Sequence, residues 1–197
     1  MYIMKFLLLA PLLALPLAAQ NPVPERSGNL QVFRCVLDER PRMIVIRLGQ
    51  EHAVAFDTEF GLLWKAWKAE PGQLPVKLEG AVYNGAHGPQ PTSQGKIFFT
   101  DADPQLICSD KAAQLQYLGH LPQSDGTAIV RWAFRDKEHR NLAVIAAKPT
   151  FESGKIVINY KVEGESAPGI NVSLRPPGTK DGPVVLGTES TAIEIKP

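Results

Sequence analysis

In KIVINYKV, Lys155–Val162, the residues Ile156, Ile158, Tyr160 and Val162 fall on one face. TAIVRWAF, Thr127–Phe134, does the same with Ala128, Val130, Trp132 and Phe134. A period of two is the signature of a β-strand with one face buried. No long segment places apolar residues at helical spacing between caps. The 17 prolines and 16 glycines also argue against long helices.

Strand-like runs recur along the chain: Leu30–Leu37, Met43–Leu48, Ala53–Phe56, Leu62–Trp67, Val76–Tyr83 and Lys96–Thr100. They continue with Leu115–Leu118, Ala128–Phe134, Leu142–Ala147, Lys155–Val162, Ile170–Leu174, Val184–Leu186 and Ala192–Ile195. Pro-Gly, Ser-Gly, Asp-Gly and Pro-Pro pairs lie between them. Short strands at this spacing favour an antiparallel sandwich or barrel, and the expectation is an all-β fold, an antiparallel β-sandwich in one domain. There is no fixed-period repeat, which disfavours a propeller. DADPQ, Asp101–Gln105, interrupts the series, and two sheets are expected to meet there.

The first residues, MYIMKFLLLAPLLALPLAAQ, follow the layout of a secretory signal peptide: Lys5, an apolar run from Phe6, then Ala18 and Ala19. The alternative is a membrane anchor. The run is short for a bilayer span of roughly 20 residues, and Pro11 and Pro16 interrupt it. The expectation is a leader over residues 1–19, a β-sandwich over 20–197 and a periplasmic or extracellular location. No membrane span is expected after the leader is removed.

The whole chain carries a formal charge of +1, and loss of Lys5 leaves 20 basic and 20 acidic residues. These are mixed along the chain, so nothing suggests a nucleic-acid partner. Cys35 and Cys108 are the two cysteines. An oxidising compartment permits a disulfide between them, closing a loop valued at about 4 kcal/mol by the chain-entropy model. The alternative is two buried thiols, since each sits in an apolar run.

Chemistry-bearing motifs are scarce. GxSxG, GxGxxG and GxxxxGK[ST] are absent. None of the four histidines forms a close metal-ligand pair, and Cys-x-x-Cys-His is missing. No metal or other cofactor is expected. The most distinctive loop is GAVYNGAHGPQPTSQG, Gly80–Gly95. Pro89 and Pro91 fix their own φ and bias Gly88 and Gln90 to extended backbone. A stiff segment would then present His87, Gln90, Thr92 and Ser93 as candidate binding residues; the plainer expectation is a connection that only crosses between strands. Trp64 and Trp67, three apart, should face opposite sides of a strand. One would enter the core and the other could stack on a sugar or a partner, unless both are buried. Asp57, with Glu59, lies near these aromatics and is either a binding residue or a solvated loop residue. Asp38-Glu39-Arg40-Pro41-Arg42 reads as a charged hairpin turn with local ion pairs.

The block VFRCVLDERPRMIVIRLGQEHAVAFDTEFGLLWKAWK, Val32–Lys68, followed by GAVYNGAHGPQPTSQG, resembles a β-rich module of secreted bacterial proteins. That module is found beside c-type cytochrome domains or sugar-dehydrogenase-like propellers. VLDERPRM, LWKAWK and HGPQPTS carry the resemblance. It extends more loosely through LQYLGH and INYKV to Leu174. The resemblance implies an accessory module whose partner, a c-type cytochrome or a dehydrogenase, is a separate chain.

Three functions follow as expectations. The first is an exported, non-catalytic module that binds a partner protein of the cell envelope or a carbohydrate. The second is a carbohydrate-active enzyme or enzyme subunit with His87, Asp57 and Glu59 in one cleft. The third is a structural subunit of a cell-surface assembly, joined through strand edges.

Overall fold

The computed structural model describes residues 32–82, 89–179 and 181–197. The expected leader and His87 lie outside them. Among the described residues there is no helix, and none therefore long and apolar enough to cross a membrane. Strands follow in the order β1 Val32–Leu37, β2 Arg40–Leu48, β3 His52–Asp57, β4 Leu62–Lys68 and β5 Val76–Val82. Then come β6 Pro89–Ser93, β7 Lys96–Thr100, β8 Leu106–Cys108, β9 Gln114–Pro122 and β10 Ala128–Arg135. The last five are β11 Asn141–Glu152, β12 Lys155–Val162, β13 Val172–Leu174, β14 Val184–Leu186 and β15 Thr191–Ile195.

All pairings are antiparallel. One sheet has the order β1-β2-β3-β4-β7 and a second has β15-β12-β11-β10-β9. β14-β13-β8 form a small third sheet, and β5-β6 pair alone. The first two sheets enclose the main core, which the third sheet completes. The alternating residues of TAIVRWAF and KIVINYKV all enter it, as period two requires. Trp132 sits near its centre. Its ring lies edge-on to Tyr117, and its indole N–H donates to the Thr58 carbonyl at 3.2 Å, tying the two large sheets together.

The first sheet is buried on both faces. Ile44, Ile46 and Leu48 point into the main core. Met43 and Val45 point the other way, into a second cluster with Leu37, Ala53, Ala55, Trp67 and Val76. That burial on two sides explains the unbroken apolar run MIVI at Met43–Ile46. Val76 of the β5–β6 hairpin helps close the outer cluster, so this half of the molecule has three layers.

Two strands were not legible in the sequence. Pro89–Ser93, expected as a connection, is β6. Its partner is β5 alone, and prolines are tolerated on such an edge because no second neighbour needs their missing N–H. Leu106–Cys108 is β8, too short to show a period. DADPQ is the crossing from the first sheet to the third. There Gln105, fully buried, accepts from the Leu63 N–H at 2.8 Å and donates to the Leu63 carbonyl at 3.1 Å. Asp101 pairs with Arg175 across the same crossing.

Tyr160 is fully buried, and its hydroxyl has no partner among the described residues. Burial pushes its pKa up. A buried donor without a partner costs free energy, so Tyr160→Phe should leave stability unchanged or raise it by up to about 1 kcal/mol. Denaturant midpoints measure this; a loss of more than that would reveal a partner for the hydroxyl.

Candidate functional site

VLDERPRM, LWKAWK and the described part of the third motif, Pro89–Ser93, come together at one end of the first sheet, on its outer face. The convergence begins at the β1–β2 turn. Leu37 pairs with Arg40, so only Asp38 and Glu39 form the turn, with φ of 46° and 67°. Positive φ at both positions is the geometry that matches strand twist in a two-residue hairpin. Asparagine and aspartate tolerate it better than glutamate.

Asp38 is held from several directions. Its carboxylate accepts from the Ser93 N–H at 2.9 Å and from the Ser93 hydroxyl at 2.6 Å. It also pairs with the Lys65 ammonium. Lys65 reaches the Ser93 hydroxyl as well, at 3.3 Å. The Asp38 N–H donates to the Pro91 carbonyl at 3.3 Å. Lys65 is only 6% exposed. Burial alone would raise the Asp38 carboxyl; hydrogen bonds from Lys65 and Ser93, with the Lys65 charge, outweigh it and hold the pKa below its ordinary value. The result is a clasp that fastens β6 to the β1–β2 turn across the sheet.

A second ion pair lies alongside. Arg40 donates from Nε and Nη2 to one oxygen of Asp57, at 3.0 and 2.7 Å. The other oxygen accepts from the N–H groups of Glu59 and Phe60, at 2.9 and 3.2 Å. Asp57 therefore shapes the β3–β4 turn. It is neither a solvated loop residue nor open to a ligand. Glu59 lies on the surface and pairs with Arg42.

Both tryptophans lie on the outer side of the sheet, which corrects the expectation of opposite faces. Ala55 pairs with Lys65 and Phe56 with Leu63, leaving Trp64 as an extra residue in a bulge. The bulge breaks the period, so Leu63 enters the main core while Trp64 and Trp67 meet the outer cluster. Trp67 is fully buried and its indole N–H donates to the Pro75 carbonyl. Trp64 is half-buried, with Arg40 5.2 Å and Lys65 4.3 Å from its ring centre. Gln90 and Thr92 lie on β6, half-buried, in register with Ala81 and Lys77.

Cys35 and Cys108 do not pair; both are free thiols. Cys35 packs on the outer cluster and Cys108 in the main core, with the first sheet between them. A disulfide needs Cα atoms within about 7 Å, and a sheet separates the two side chains. Burial first, and the Asp38 charge second, push the Cys35 thiol up to about 12. The purified protein should titrate two thiols in denaturant without reductant and react only slowly when native at neutral pH. A single mass two units lower, with no thiol released by denaturant, would establish the pairing instead.

Sequence reasoning missed Asp38, Arg40 and Lys65 as a connected set, reading Asp38 and Arg40 as parts of a hairpin turn with local ion pairs. The available signal was Lys65 inside the apolar run LLWKAW, where a lysine needs a buried partner. Among the described residues, no group of three or more His, Cys, Asp or Glu could hold a metal ion. The arrangement ties the polar groups to one another and holds Arg40 over the half-buried ring of Trp64, while Phe60, in the β3–β4 turn, and Arg42 are exposed at the same end of the sheet. Comparison of the chain with protein-family models, with curated proteins and with solved structures finds no match.

Proposed function

We propose that the chain is an exported, non-catalytic accessory module that docks on a partner protein of the cell envelope. The resemblance names the partner class, a c-type cytochrome or a dehydrogenase. One observation carries the reading: two bonded pairs, Lys65–Asp38 and Arg40–Asp57, fix Arg40 over the half-buried Trp64 ring at an end of the sheet where Phe60 and Arg42 are exposed. Aromatic residues and arginine are enriched at the energetic centres of protein interfaces. A surface already ordered by internal bonds loses little side-chain freedom on docking. The carboxylates that an enzyme reading would use, Asp57 and Glu59, are engaged by Arg40 and Arg42.

The test uses the purified protein, immobilised, against c-type cytochromes and dehydrogenases purified from the envelope of its own host. One of them should bind reversibly. Phe60→Ser and Arg42→Glu, both surface changes, should each weaken that binding tenfold or more and leave the melting temperature unchanged. Binding that ignores both substitutions would overturn the assigned surface. Absence of binding to either class would overturn the partner.

A further inference from the structure

At the far end of the sandwich a groove of about 310 Å³ opens between the two large sheets. It is lined from the first sheet by Leu48 and Gly49, and from the second by Asp125, Thr127, Phe151 and Glu152. β2 separates it from the Arg40 end by eight residue steps, roughly 26 Å at the usual strand rise. We infer that this groove is a binding site for a neutral pyranose sugar. The inference goes beyond the docking role and does not rest on it.

Phe151 is 39% exposed although it is a large apolar side chain. One face of its ring stacks on His52, with centroids 3.9 Å apart and planes 18° from parallel. His52 is itself buried, so the ring is backed by a fixed support. This leaves an oriented aromatic surface lining an open groove, which suits the C–H face of a sugar ring. Beside it stand groups that accept hydrogen bonds from hydroxyls. Asp125 is oriented by the Thr127 N–H at 3.0 Å and hydroxyl at 2.5 Å, and pairs with Lys148 at 2.8 Å. Glu152 is exposed, and its carboxylate has no partner among the described residues. A cradle that combines one ring face with carboxylate acceptors matches the two chemical sides of a pyranose.

Charge narrows the class further. Lys148 balances Asp125, and Glu152 is left unbalanced. The groove therefore repels phosphates, sulfates and acidic sugars. A cationic ligand would fit the charge, but a single phenylalanine in an open groove is a poor substitute for the enclosing aromatic cage that cations favour. The volume lies at the lower end of the range for small-molecule sites, about 300–1,000 Å³. One ring of a dozen non-hydrogen atoms held this openly should bind with a dissociation constant of roughly 1 mM.

Titration of the isotope-labelled protein with methyl glycosides of glucose, galactose, mannose and N-acetylglucosamine tests the site by NMR. At least one should give saturable shifts at Thr127, Phe151 and Glu152 in the millimolar range. Phe151→Ala should weaken that sugar tenfold or more. Because its loss also exposes His52, Glu152→Gln serves as the second variant. It changes an exposed, unpaired group, should leave the melting temperature unchanged, and should weaken binding several-fold. Phe60→Ser, at the opposite end, should leave the sugar titration intact, which separates this site from the docking surface. No saturable shift with any of the four sugars would overturn the inference. So would wild-type titrations in both groove variants, or stronger binding of tetramethylammonium at the same residues.

Discussion

Gly95→Ala should be among the most damaging single substitutions in this protein. Gly95 joins β6 to β7 with φ of 111°, a region that L side chains rarely adopt. A Cβ there would sit 2.2 Å from the Lys68 carbonyl oxygen and 2.6 Å from the Ala69 Cα. Both are backbone atoms of a sheet strand and its continuation, so neither can yield without moving β4. Strain and overpacking together should cost about 3–5 kcal/mol. At roughly 2–4 °C per kcal/mol for a chain of this size, the melting temperature should fall by about 6–20 °C. Gly72→Ala is the matched control: its φ is 79°, but a Cβ there meets nothing within 4 Å. It should cost only the left-handed backbone penalty, about 1 kcal/mol. Equal losses in the two variants would mean that the Lys68–Ala69 contact is not what demands glycine at 95.

The second large effect belongs to the clasp. Asp38→Asn keeps a residue that tolerates the positive φ but removes the charge facing Lys65. The ammonium of Lys65, a residue only 6% exposed, is then left without its carboxylate. Breaking a buried pair from one side costs about 3–5 kcal/mol. Asp38 is about a quarter exposed, so solvent should soften the loss to about 2–3 kcal/mol. Lys65→Met should cost less, because Asp38 keeps its bonds from Ser93 and some water. The double variant should recover at least about 1 kcal/mol relative to the sum of the singles. Strict additivity would show that the charges do not interact, and the clasp would then be a matter of hydrogen bonding alone. Acid gives an independent reading. The folded-state pKa of Asp38 lies below its unfolded value of about 3.9. Its contribution is therefore present above pH 3.9 and is lost as pH falls through the lower, folded value. The stability of Asp38→Asn should lack that part of the acid dependence.

The expected fold class was readable because strand period is local. KIVINYKV and TAIVRWAF place their residues on the main core face without reference to the rest of the chain. The same logic failed in LLWKAWK. Period two assigns faces only while a strand is unbroken, and the bulge at Trp64 shifts the count by one. Nothing within seven residues announces that bulge, which exists because β3 and β4 must stay in register on both sides of it. Gly95 could be seen as a turn residue but not as an obligatory one. The backbone it touches, Lys68 and Ala69, lies more than twenty residues earlier.

The sequence by itself determined that this chain builds strands and where most of them lie. Alternation, turn residues and the scarcity of helical spacing are short-range signals, and hydrophobic burial acts on them wherever the chain closes. Only the tertiary structure decided what the charged and aromatic residues do. Lys65 is buried because the β5–β6 hairpin covers the outer face of the first sheet. Its carboxylate comes from Asp38, and the serine that holds that carboxylate is 55 residues further along. Phe151 becomes a supported surface ring because His52, from the other sheet, lies behind it. Electrostatic and stacking contacts act over a few ångströms in space, and sequence separation carries no record of which distant residues the folded sheets bring within that reach.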